Sequence, residues 1–180
     1  MKKGFENGSL AQQVLEFRCP RWAQLPDIAL YMDQVTGYIN DIFRPLFTNE
    51  REPLLTKAMV NNYVKLRVIQ PPVNKKYSRE HLAYLIAICA LKQVFSIPEI
   101  AMLIQSQIEI CSVERAYDYF CDQLEGALVE AFGGASADLP ENDSQRLVLR
   151  AAQSWADKIY IQKRLEFEVL ERESDQPKKK

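Results

Sequence analysis

Leu55-Thr56-Lys57-Ala58-Met59-Val60-Asn61-Asn62-Tyr63-Val64-Lys65 opens the stretch that decides the fold, and Val68-Ile69-Gln70-Pro71-Pro72 and Lys75-Lys76-Tyr77-Ser78 continue it. Thr56 can cap a helix, and Val60, Tyr63 and Val64 recur at helical spacing, so a helix is expected from Lys57 to about Leu66. Its outer i, i+4 row is Lys57, Asn61 and Lys65, with Asn62 beside it. Pro71 and Pro72 lack amide hydrogens and forbid continuation of the helix. Val73 to Ser78 then leaves room only for a small loop or a two-strand wing.

Working outward, Ser78 offers the next N-cap. The helix after it carries Leu82, Leu85, Ile86, Ile88, Cys89 and Leu91, which cover most of its circumference and mark it as central to a core. Ser96-Ile97-Pro98-Glu99 is a capping box with Pro in the first turn, and a further helix runs through Ile100, Leu103 and Ile104. A short helix, a Pro-bounded turn, a basic hairpin-like segment and two more helices follow one another between Leu55 and Ile104. That order is the plan of a winged helix-turn-helix.

Upstream, Ile28, Tyr31, Met32, Val35, Tyr38, Ile39 and Ile42 recur at three- and four-residue steps, and Pro26 and Asp27 suit a helix start, with Pro45 ending it. Residues 1–24 show no strong period and are expected to be a flexible N-terminal segment. Downstream, Ser112 starts a helix with the stripe Val113, Tyr117, Phe120, Cys121, Leu124 and Leu128, closed by Gly133-Gly134. A long helix is expected from about Asp143 to Leu170, with Val148, Ala152, Trp155, Ile159 and Leu165 on one side. The expected class is all-α: a winged helix-turn-helix domain over residues 25–110 with a small two-strand wing, C-terminal helices over 111–172 that pack on it or dimerise, and a disordered tail at 173–180.

A chain of 180 residues sits near the usual size of one domain and can bury roughly 70% of its unfolded surface. Its hydrophobic fraction of 47% and charged fraction of 26% argue against disorder, collagen-like repeats and disulfide scaffolds. The four cysteines, Cys19, Cys89, Cys111 and Cys121, form no C-x-x-C pair, and only His81 could add an imidazole. No metal and no cofactor are expected, and free, buried thiols in a reducing cytoplasm are. The longest apolar run, Leu82 to Leu91, is about half of the ~20 residues needed to cross a bilayer, so no membrane partner is expected. Lys2 and Lys3 precede no apolar run, which argues against a secretory signal.

Charge is concentrated. Between Arg51 and Glu80 stand seven basic residues (Arg51, Lys57, Lys65, Arg67, Lys75, Lys76 and Arg79) against Glu52 and Glu80, a local +5, so the rest carries −6 to reach the net −1. A basic face on an acidic body directs an electric field, as oriented phosphate binding requires. Lysines supply point charges to phosphates, and an Asn amide can pair with an adenine edge. The same residues also fit an ordinary solvated face. There is no Gly-rich phosphate loop, no G-x-S-x-G and no H-E-x-x-H, and paired acids such as Glu141/Asp143 and Glu166/Glu168 lie in polar segments, so no enzyme is expected. Tyr63, Tyr77 and Tyr84 are expected to pack between wing and core, and His81 to be a surface or capping residue.

Val60-Asn61-Asn62-Tyr63, then Val68-Ile69-Gln70-Pro71, Lys75-Lys76-Tyr77-Ser78 and Phe95-Ser96-Ile97-Pro98-Glu99-Ile100, resemble the winged DNA-binding domain of MerR-type regulators. More closely, Leu25 to Leu103 resembles an uncharacterised bacterial family, domain of unknown function eighteen thirty-six. The MerR resemblance implies a recognition helix in which Asn61 and Asn62 stand where the pattern has Arg and Tyr facing DNA, Tyr63 matches its second Tyr, and Lys75 takes the place of the wing arginine. Arg67 replaces the usual turn Gly, the wing lacks its Gly, and a long helical segment precedes Leu55.

Three functions are open from sequence. The first is a cytoplasmic DNA-binding protein, a transcriptional regulator on double-stranded DNA, with Lys57, Lys65, Lys75, Lys76 and Arg79 on phosphates, Arg67 beside them, and Asn61 and Asn62 on bases. A homodimer anchored by Trp155 and Ile159 would set two such heads on successive half-sites. The second is a protein-interaction module on a winged-helix scaffold without sequence-specific DNA binding. The third, a small-molecule sensor, requires an apolar cavity among the C-terminal helices.

Overall fold

The apolar run 82–91 becomes the helix α4 (Arg79–Leu91), of whose 13 residues nine are buried. Burying a Leu or Ile side chain contributes roughly 1.5–3 kcal/mol, so a helix buried on nearly every side organises whatever surrounds it. Around it the computed structural model, which describes residues 5, 8–47, 52–133, 140 and 142–174, places six further helices and one small antiparallel sheet among the described residues. In chain order these are α1 (Ser9–Leu15), a 3-10 turn (Trp22–Gln24), β1 (Leu30–Tyr31), α2 (Met32–Phe43), α3 (Lys57–Lys65), β2 (Lys76–Tyr77), α4, α5 (Ile97–Ile108), α6 (Val113–Ala131) and α7 (Asp143–Ser174). The fold is mostly helical, as expected. The first two residues of the tail expected to be disordered at 173–180, Glu173 and Ser174, instead continue α7, while Arg51, Gly134, Glu141 and the rest of that tail lie outside the described residues.

Helices α2, α5, α6 and α7 and strand β2 all touch α4, and α6 and α7 share the broadest helix–helix contact. Val148, Ala152, Trp155 and Ile159 of α7 are buried as the periodicity predicts, but Leu165 is exposed.

Two segments differ from the sequence reading. The helix expected from Pro26 starts at Met32, because Leu30 and Tyr31 pair instead with Tyr77 and Lys76 as a strand. Ile28 and Tyr31, which share the helical spacing, are accordingly exposed. The expected flexible N-terminal segment is the second difference. Its described part carries α1 and buries Phe5, Ala11, Val14, Phe17 and Cys19. Phe17 stacks on Phe43 at 5.9 Å and lies 6.2 Å from Trp155, so this stretch joins α2 to α7. Its period is hard to see because α1 is only seven residues long.

One side chain of α2 fixes the chain just ahead of α3. Asn40 Oδ1 accepts the Leu55 N–H at 2.9 Å while its Nδ2 donates to the Leu55 carbonyl at 2.9 Å and to Thr36 O at 2.8 Å. The chain is thereby fixed one residue before Thr56, whose hydroxyl accepts the Met59 N–H and caps α3. Truncating Asn40 strands both polar groups of Leu55, itself buried. Asn40→Ala is expected to lower the unfolding free energy by about 2–3 kcal/mol, read from urea titration. A loss below about 0.5 kcal/mol would mean that α3 is held in place by other contacts.

Candidate nucleic-acid interface

Helix α3 turns Val60 and Tyr63 into the core and leaves Lys57, Ala58, Asn61, Asn62 and Lys65 exposed. Burial pushes the Tyr63 hydroxyl up to about 12, in keeping with a packing role. The nine residues of α3 include no acid. Among the described residues, no side-chain hydrogen bond or ion pair engages Asn61, Asn62 or Lys65. Lys57 differs: its ammonium is ion-paired with Asp33 at the start of α2.

The helix ends in a Schellman turn. Val68 N–H donates to Tyr63 O at 3.0 Å and Arg67 N–H to Val64 O at 3.0 Å, a pattern that requires a left-handed residue between helix and exit. Arg67 supplies it at φ 57°. The position where the resemblance expects Gly is therefore a true left-handed site, occupied here by a charged residue. Ile69 is buried just beyond it.

From Gln70 the chain is tied to α4 by His81. The Ser78 N–H donates to His81 Nδ1 at 3.1 Å, which leaves the ring hydrogen on Nε2 to donate to Gln70 O at 3.1 Å. His81 is thus a buried cap that also clamps the link. It stands edge-on to Tyr77, with ring centroids 5.5 Å apart, and Tyr77 is buried as expected.

Val73 to Lys76 forms a two-residue hairpin. Val73 and Lys76 exchange backbone hydrogen bonds of 3.1 and 2.9 Å, and Asn74 and Lys75 between them have φ of 51° and 63°. Positive φ at both central residues defines a type I′ turn, the form that matches strand twist. Lys75 stands exposed at the tip. The return strand β2 then pairs with β1.

Two basic residues near the hairpin lean on aromatic rings. Lys76 Nζ lies 5.0 Å from the centroid of Tyr31, and the Arg79 guanidinium 5.8 Å from that of Trp22. Arg79 Nε is buried and has no hydrogen-bond partner among the described residues. Both cations are half-buried. Sequence reading misses Trp22, Tyr31 and Asn40 as contributors to this face, since neither a cation–ring contact nor a two-residue strand leaves a periodic signal.

Trp155 and Ile159 require correction. They are 0% and 1% exposed, because the stripe expected to meet a second subunit is used within the chain against α6 and α4. The apolar residues that α7 leaves exposed are Leu147, Ile161, Leu165, Val169 and Leu170.

An apolar cavity does exist among α4, α5, α6 and α7, lined by Ala87, Leu103, Ile104, Ala116, Phe120 and Ala151 among others, with a volume of about 60 Å³. A buried space of roughly 150 Å³ is of the size that takes up benzene, so this one is less than half large enough for an aromatic ring. Among the described residues, no group of three or more His, Cys, Asp or Glu is placed to hold a metal ion, and no helix is long and apolar enough to cross a membrane.

A family model described as Domain of unknown function (DUF1836) matches residues 20–120. No curated protein and no solved structure matches the chain.

The matched span contains every candidate residue from Lys57 to Arg79. Within it, Arg67 in a left-handed cap carries a strain that glycine would not, of roughly 1 kcal/mol. Arg67→Gly is expected to raise the unfolding free energy by about 0.5–1 kcal/mol in urea, and a loss of stability would show that the Arg67 side chain contributes more packing than its exposure suggests.

Proposed function

The chain belongs to the DUF1836 family, a membership that assigns no activity, and we propose from residues 57–79 that it is a DNA-binding protein, a cytoplasmic transcriptional regulator. In this reading α2 and α3 form the helix-turn-helix pair of a MerR-like winged helix, with α3 as recognition helix and the 73–77 hairpin as wing. The observation that carries it is the outer face of α3, where two unpartnered amides and Lys65 stand free of any acid, followed through a fixed link by a lysine-tipped hairpin. Amides left without partners on a basic helix suit base edges in a major groove, and flanking cations suit its phosphates.

Roles divide by environment. Lys65, Arg67 and Lys75 are exposed and hold phosphates directly. Lys57 reaches a phosphate by exchanging Asp33 for it, a small cost because exposed pairs are worth about 0–1 kcal/mol. Lys76 and Arg79, propped on Tyr31 and Trp22, act from fixed positions. Asn61 and Asn62 read bases. No catalysis forms part of this proposal.

Affinity for duplex DNA is expected to fall steeply with salt, each neutralised phosphate adding about −0.9 to the slope of log K against log salt. Lys75→Ala with Lys76→Ala should flatten that slope by roughly 2 units, leaving base preference intact. Asn61→Ala with Asn62→Ala should leave the slope and reduce discrimination between selected and random sequences by roughly 1–3 kcal/mol. Selection from a random duplex pool at two salt concentrations measures both, and absence of binding at low salt ends the reading.

A second reading is favoured by the outer row of α7. Ile161, Leu165 and Val169 repeat at four-residue steps and are 56%, 57% and 53% exposed, which suits a protein contact, either a homodimer on DNA or an interaction module without DNA binding. If that row joins two copies, sedimentation at micromolar concentration should show a dimer that Leu165→Glu converts to monomer. A monomeric wild type throughout that range removes the homodimer.

A further inference from the structure

Away from the candidate interface, α6 grips the strap Cys19–Trp22 through four successive residues. Cys19 N–H donates to Glu125 Oε1 at 2.8 Å, and the Pro20 carbonyl accepts the Tyr117 hydroxyl at 2.7 Å. The Arg21 guanidinium donates to Glu125 Oε1 at 2.7 Å and Asp122 Oδ1 at 2.8 Å. Trp22 N–H donates to Asp118 Oδ1 at 2.6 Å. Inside this clamp, Cys19 Sγ and Cys121 Sγ lie 3.1 Å apart although the residues are 102 positions apart in sequence. Both thiols are free and buried. Cys89 and Cys111 take no part in this arrangement: Cys89 is buried within α4, its thiol pushed up to about 12 by burial, and Cys111 is half-buried with its thiol directed at Gln107 O.

We propose that Cys19 and Cys121 are a modification site, a dithiol that a small-molecule disulfide oxidises to an intramolecular bond fastening the strap to α6. The two sulfurs need to close by roughly 1 Å to reach a bond length of about 2.05 Å. One cysteine thiolate attacks a small disulfide, giving a mixed disulfide and releasing one small thiolate. The other cysteine thiolate then displaces the second. The protein loses two protons and two electrons, and the small disulfide becomes two thiols.

Reaction is gated by the strap. Thiolates are the reacting form, and the hydrogen bond with Cys19, together with burial, pushes the Cys121 thiol well above its ordinary value. With both sulfurs covered, the pair exchanges only when the strap lifts. Arg21, which joins Glu125 and Asp122, is the latch.

The test uses the full chain with oxidised glutathione in excess over reduced, Cys111 first blocked with N-ethylmaleimide under native conditions. Expected results are loss of two free thiols, a peptide pair joining Cys19 to Cys121 by mass spectrometry, and a rise of about 5–10 °C in Tm that Cys19→Ser abolishes. Arg21→Ala should oxidise at least about threefold faster. The pair is overturned if the thiols stay reduced in both wild type and Arg21→Ala, or if the bond found involves Cys89 or joins two chains. A linked pair whose rate ignores Arg21→Ala overturns the gate.

Discussion

The structure depends on α4 having almost no solvent face. A helix buried on nearly every side must be enclosed, and α2, α5, α6 and α7 do so. Its two ends then become reference points for the rest. At the N-terminal end Ser78 and His81 hold Gln70 and the base of the hairpin. At the C-terminal end Lys92 donates to the Leu54 carbonyl and lies 3.3 Å from Met59 Sδ, where α3 begins. A helix of this length rises roughly 20 Å, and α3 with its link spans that distance in the opposite sense. Helix α3 and the hairpin are therefore both tied to α4, and α3 is held in addition by Asn40 of α2.

Local backbone preferences yield in the link that follows α3. Arg67, Asn74 and Lys75 are the only non-glycine residues with positive φ among the described residues, and all three lie in the link between α3 and β2. Asn tolerates this conformation, since its short side chain can bond locally; Arg and Lys do not gain in that way. Departures from local rules cluster at functional positions, where a side chain is worth more than the strain it brings. Arg67 and Lys75 thus stand in left-handed positions at the two ends of a link that contains two prolines, Pro71 and Pro72.

What capping and periodicity control was plainly legible in the chain. Thr56, Ser78, Ser96 and Ser112 each precede a helix, and α3, α4, α5 and α6 begin where those residues indicate. The buried stripe of α7 was equally visible in Val148, Ala152, Trp155 and Ile159, but periodicity cannot say whether an apolar stripe meets its own chain or another. The strand Leu30–Tyr31 was hidden because two residues have no measurable period, and the helical spacing of Ile28 and Tyr31 with Val35 was coincidental. Contacts between distant segments left no trace at all. Nothing near Asn40 announces Leu55, and nothing near Cys19 announces α6.

Those distant contacts link the candidate face to the C-terminal half. The strap that α6 grips carries Trp22, the ring beneath Arg79, and continues to β1, which pairs with the returning strand of the hairpin. Removing α6 would free the strap, and with it the props of both Arg79 and Lys76. A cation resting on a ring keeps its charge yet gives up part of its freedom. Lys65 and Lys75 have no such ring beneath them among the described residues. The basic face is therefore unequal residue by residue, and the positions of Lys76 and Arg79 depend on β1 and on the strap held by α6, both outside residues 57–79.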